Sequence, residues 1–206
     1  MNNEKKNNEM YLRGRIASEV LSTHEFAGEV FYEFLVEVPR LSGNADVLPV
    51  TVSERLVSFD ELVKGRELCI YGELRSYNRL EDGRSRLKLT VFVQAILEDL
   101  PCALPNDIEL RGYVCKPPVY RTTPNDREIT DVLLAVNRGR KSDYIPCIVW
   151  GRNAKFAESL QVGNFVSIKG RVQSRVYHKK YSETDIRPMT AYEVSCSCIA
   201  QEEQAE

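Results

Sequence analysis

Tyr144, Trp150 and Tyr177 are the side chains best suited to hold a flat, unpaired ring system, and cations surround all three. Arg121 precedes them, Arg138 and Arg140 lead into the segment of Tyr144, Arg152 follows Trp150, and Arg175, Lys179 and Lys180 flank Tyr177. Rings interleaved with guanidinium and ammonium groups fit single-stranded nucleic acid, because rings stack on bases while cations follow the phosphates. Residues 144, 146, 148 and 150 fall on one face of an extended strand, opposite the apolar triplet Ile145, Cys147 and Val149. That alternation predicts Ile145, Cys147 and Val149 as core and places Tyr144 and Trp150 outside. The competing reading of both rings as core residues gives way to it. Lys179 and Lys180 read equally well as a solvated hairpin tip. A weaker set, Tyr77, Arg79, Arg84 and Arg86, stands in the first half of the chain and predicts a secondary contact.

Other chemistries find little footing. The chain has no Gly-rich phosphate loop, and its only histidines, His24 and His178, lie beside no Ser or Cys nucleophile. The six cysteines are dispersed without zinc-ligand spacing and are expected to be reduced and buried in strands. No catalytic activity, metal or cofactor is expected. The formal net charge of -2 over 206 residues favours no partner. The halves differ: residues 1–105 hold 13 Lys and Arg against 17 Asp and Glu, whereas residues 106–206 hold 15 against 13. No apolar run approaches the roughly 18 residues that span a bilayer, and Met1–Glu9 has no apolar stretch of a signal peptide. A cytoplasmic protein is expected.

The elements that position these residues occur twice. Leu12-Arg13-Gly14 returns as Leu110-Arg111-Gly112, and Phe34–Arg40 corresponds to Val132–Arg138, both at an offset of 98. Asp46–Val52 matches Asp143–Val149 at 97, and Gly65 and Gly72 meet Gly163 and Gly170 at 98. An ordered series at a nearly constant offset is a tandem repeat. It sets the expected domains: a disordered lead-in at 1–9, a first unit at 10–99, a linker at 100–107, a second unit at 108–200 and a short acidic tail at 201–206. Each unit reads as strands with one helix, Glu54–Val63 or Asn153–Gln161, the latter capped by Asn153 and stopped by Gly163. Five strands with a helix between the third and fourth predict an all-β chain of two tandem OB-fold Greek-key barrels. Mid-strand glycines at 14, 72, 112 and 170 supply the bends that closure demands.

The second copy also resembles a known family. Tyr120–Asn125, Leu133–Arg138, Asp143–Gly151 and Gly163–Arg175 are similar to the corresponding stretches of bacterial single-stranded DNA-binding proteins (SSB). The resemblance implies that Tyr144, Trp150 and Tyr177 stack on bases and that Arg121, Arg152 and Arg175 contact phosphate. It implies a role in replication, recombination or repair, and a homodimer that brings four barrels together. A further aromatic expected in the loop after strand two is replaced near Arg140. The first copy has Val47 and Ser53 where Tyr144 and Trp150 stand, so it is expected to be degenerate and biased toward assembly. The tail lacks the aromatic tip through which the family recruits enzymes, which puts that partnership in doubt. RNA is not excluded, and the alternative is a primosome-like protein–protein adaptor that binds DNA weakly.

Overall fold

The computed structural model describes residues 6–81, 83–180 and 186–202. The first unit comprises β1 (Asn8–Ile16), β2 (Leu21–Phe26), β3 (Glu29–Pro39), β4 (Ala45–Ser53), β5 (Glu67–Glu81) and β6 (Arg84–Leu97). The second repeats it as β7 (Asn106–Val114), β8 (Val119–Thr122), β9 (Glu128–Arg138), β10 (Lys141–Trp150), β11 (Phe165–Lys180) and β12 (Ile186–Gln201), with helix α1 (Arg152–Glu158) between β10 and β11. Each unit closes on itself. β1 pairs with both β3 and β5, and β4 meets β6 in parallel; β7, β9, β11, β10 and β12 do the same in the second unit. The alternating residues of these strands point inward: Leu48, Val50 and Val52 fill the first barrel as Ile145, Cys147 and Val149 fill the second.

Several expectations shift. Each barrel carries six strands rather than five, because β2 and β8 run as hairpin edges against β3 and β9. All six residues of β2 are exposed, so it has no apolar alternation from which a strand could be read. The helix expected over Glu54–Val63 contracts to one 3-10 turn, Phe59–Glu61. Its buried anchors, Val57 and Leu62, are five residues apart, a spacing that does not share a helical face. α1 begins one residue early: Gly151 caps it, and Asn153 lies inside, donating Nδ2 to the Ser197 carbonyl at 3.2 Å. Strand β1 starts at Asn8 and β7 at Asn106, so both strands reach into stretches read as lead-in and linker.

Two features make the barrels halves of one body. Antiparallel pairing of β1 with β7, Asn8 opposite Leu110 and Leu12 opposite Asn106, continues the sheet from one to the other. Buried Asn8 and Asn106 then play identical parts: each side-chain amide bridges both backbone groups of its partner, Leu74 or Val172, at 2.7–3.0 Å. The register shifts beside Gly72 and Gly170, where Gln94 of β6 and Ser197 of β12 are the extra residues. A Cβ at Gly170 would collide with the Ser195 carbonyl, so only glycine lets the backbones approach there.

Candidate nucleic-acid interface

The outer face of the second barrel is built on β9, β10 and β12. Tyr144 is 46% exposed near the start of β10, and Trp150 ends that strand half-buried. Cross-strand register puts Ile129 beside Trp150 on β9, while the Trp150 indole N–H donates to Ser195 Oγ on β12 at 3.1 Å. That bond fixes the indole plane against the sheet and leaves its edge lining an open groove with Thr122, Asp126, Arg127, Glu128 and Gly151. Tyr177 is 37% exposed on the long β11–β12 hairpin, with the Arg175 guanidinium 5.8 Å from its ring centre. The rings therefore lie on one barrel along a path from β10 to the hairpin.

The cations divide into two groups. Arg140 and Arg152 are exposed and have no ion pair among the described residues, so they present free charge on either side of β10. Arg121 binds Asp131 through Nε at 2.7 Å and a terminal nitrogen at 3.2 Å, and that pairing raises its already high pKa. Arg138 donates to Asp143 at 2.9 Å; the carboxylate is 1% exposed, so this arginine neutralises a buried charge. Arg175 approaches buried Glu193 at 3.5 Å. Of the expected phosphate ligands, Arg121, Arg138 and Arg175 are thus engaged within the barrel. Lys179 and Lys180 end β11, but their side chains lie outside the described residues. The residue missed from sequence is Arg127, exposed on the groove wall beside Trp150. Its place in the β8–β9 connection was the available signal.

In the first barrel, Tyr77 is 40% exposed on the β5–β6 hairpin, and burial of the rest of its ring raises the phenol pKa. Arg79 and Arg84 are exposed, whereas Arg86 turns to Glu81 at 3.6 Å. The cysteines are all free thiols; Cys69, Cys147 and Cys196 are buried, but Cys198 is exposed, unlike the expectation. A hydrogen bond with the Cys196 thiol, together with burial, pushes the Cys147 thiol well up. No group of metal-binding side chains occurs among the described residues.

Comparison with known proteins bears on this face. Residues 105–196 match the model of the single-strand binding protein family. The second barrel is a domain of that family. Single-stranded DNA-binding protein 1 of Staphylococcus aureus (strain COL) is 33% identical to this chain over 102 residues, covering 46% of this chain and 59% of that protein. Single-stranded DNA-binding protein A of Bacillus subtilis (strain 168) is 34% identical over 86 residues, 38% of this chain and 50% of its own length. The chain thus spans between half and three-fifths of these relatives. Across both barrels the fold is that of the wild-type single-stranded DNA binding protein from Thermus aquaticus, with a TM-score of 0.74 at 18% identity over 97% of this chain and 94% of that one. The SSB-family domain is the barrel that carries Tyr144, Trp150, Arg140 and Arg152.

Proposed function

We propose that the chain binds and protects single-stranded DNA without sequence preference, in replication, recombination or repair. The observation that carries this reading is the outer face of β10: two outward rings, Tyr144 and Trp150, between the unpaired cations Arg140 and Arg152, on a domain of the SSB family. Bases stack on the two rings and on Tyr177, each stack contributing on the order of 1–3 kcal/mol. Arg140, Arg152 and Arg127 follow the phosphates. Arg121 and Arg175 join them only by exchanging a carboxylate for a phosphate, so they contribute less than their number suggests. Tyr77, Arg79 and Arg84 form the contact on the first barrel's hairpin. The site calls for no catalytic step. Two chains assemble as a homodimer with four barrels, and the protein works in the cytoplasm on the nucleoid.

Trp150 is the only tryptophan in the sequence, so its emission reports this site alone. Titration of the full chain with oligo-dT at several salt concentrations should quench it, with weaker affinity as salt rises. Absence of both quenching and binding at low salt would overturn the proposal. Sedimentation of the chain at micromolar concentration tests the homodimer separately.

A further inference from the structure

At the end of β5 opposite its hairpin, the first barrel carries a cleft outside the proposed DNA contacts. Ser18, Glu19 and Val20 of the β1–β2 connection form one wall, and Phe59 and Val63 of the 3-10 turn and its exit form the other, around about 330 Å³. Leu62 is buried at its base, and Phe59 is held edge-on against Tyr32 with 5.3 Å between ring centres. Phe59, Val63 and the preceding Leu56 are exposed, so the opening is apolar. Its rim is acidic. Glu19 and Asp60 are exposed and have no ion pair among the described residues, whereas Arg55 and Arg66 are taken by Glu29 and Glu61. Glu54 accepts the Val30 backbone N–H and keeps its charge. Against these three carboxylates stands Lys64.

The matching end of the second barrel carries the opposite sign. Lys116 stands where Ser18 does, Lys155 where Ser58 does and Ala157 where Asp60 does. Lys116 and Arg152 are exposed and have no ion pair among the described residues, while Lys155 reaches Glu128 at 3.1 Å. Glu158 subtracts one charge, which leaves this end positive. Phe156 is exposed on α1 among these groups, with Val162 exposed just beyond the helix. A ring on a basic helix thus matches an apolar cleft with an acidic rim.

One chain cannot join the two. In the antiparallel β1–β7 ladder Asn8 lies opposite Leu110 and Leu12 opposite Asn106. Ile16, which leads into the cleft, and Val114, which leads to Lys116, therefore run off opposite ends of that ladder. They are about twelve residue steps, or roughly 40 Å, apart.

We propose that the cleft of the first barrel receives the α1 end of the second barrel of another copy, with Phe156 between its walls and Lys116 and Lys155 facing Glu19 and Asp60. The contact joins unlike ends, so each chain keeps one free end of either kind and the copies extend into a row. Two clefts do not pair, because their carboxylates would face each other. This contact is distinct from the homodimer, which is closed and of fixed size, and it needs no DNA.

Sedimentation velocity of the full chain without DNA, from micromolar to millimolar concentration, tests the contact. The weight-average coefficient should keep rising beyond the dimer value and fall back in high salt, which screens the charges. The Glu19→Lys/Asp60→Lys variant and the Lys116→Glu variant should each weaken this association by about tenfold or more, because like charges then meet. All three side chains are exposed, so melting temperatures should not change. Mixing the two variants should restore growth that neither shows alone, because each reversed end then finds an opposite one. A coefficient that stays constant up to millimolar concentration overturns the contact, as does growth that neither variant reduces or a mixture that behaves as its parts do. Growth from a monomer would sink the homodimer and leave this contact standing, and the outcome of the oligo-dT titration does not touch it.

Discussion

The Asp143 carboxylate of the second barrel accepts a hydrogen bond from the Ser76 backbone N–H of the first at 2.8 Å. Asp46 and Ser174 repeat the contact in the opposite direction, also at 2.8 Å. Each serine hydroxyl accepts the next residue's amide in return: Tyr144 N–H to Ser76 at 2.7 Å and Val47 N–H to Ser174 at 3.0 Å. The base of each long hairpin is thereby pinned to the other barrel's β4 or β10. One consequence concerns binding, because the backbone that presents Tyr144 is held by the first barrel.

Asp46 is the more heavily used of the two. It is 1% exposed and takes Arg40 Nε at 2.7 Å, Arg171 at 2.8 Å and the Ser174 amide. Removing one partner from a buried charge network strands the others, so Asp46→Ala should cost about 3–5 kcal/mol. Arg40→Ala should cost less, since Arg171 remains to neutralise the carboxylate. Denaturant unfolding of both variants checks the order; near-equal and small losses would show that the barrels are held by the β1–β7 pairing alone.

The division of cations into free and engaged makes a different forecast for salt dependence. Arg140→Ala and Arg152→Ala should each reduce the log–log salt slope by about 0.7, the value for one phosphate on a single strand. Arg138→Ala should leave the slope nearly unchanged and lower the melting temperature instead, because it uncovers the buried Asp143 carboxylate. An Arg138→Ala slope change as large as that of Arg152→Ala would show that DNA draws Arg138 away from Asp143.

The barrels themselves were legible because closure imposes regular alternation and fixed bends, and both recur at 98 residues. Trp150 and Tyr144 were legible for the same reason: inward Ile145, Cys147 and Val149 dictate what faces out. The fate of the arginines was not. Arg121 finds Asp131 because the antiparallel β8–β9 ladder sets Val119 opposite Asp131 and Arg121 opposite Ile129, two residues along, and a register of this kind leaves no mark on composition.

Ser195 offers a graded test of the Trp150 platform. Ser195→Ala removes one neutral hydrogen bond to the indole and should cost about 1 kcal/mol of binding, roughly fivefold. Trp150→Ala removes the stack itself, on the order of 1–3 kcal/mol. With the Ser195→Ala protein, Trp150 emission should also respond to a freer indole before DNA is added. If Ser195→Ala costs as much as Trp150→Ala, the serine contacts the DNA directly.

The beginning of β1 decides where the first barrel can be trimmed. The Asn8 side chain is 8% exposed and bonds both the N–H and the carbonyl of Leu74, while the Asn7 carbonyl accepts the Arg111 amide of β7 at 2.7 Å. Deleting residues 1–5 keeps all three bonds and should leave the urea midpoint unchanged. Deleting residues 1–9 leaves the Leu74 groups unpaired inside the barrel and removes two residues of the strand that joins β7. Each buried group left without a partner costs about 1–3 kcal/mol, so this deletion should destabilise the chain by at least about 2 kcal/mol. Asn106→Ala should reproduce much of that loss through Val172, because the second barrel uses the same device. Equal midpoints for the two deletions would show that the asparagine bridges, though satisfied, do not hold the barrels closed.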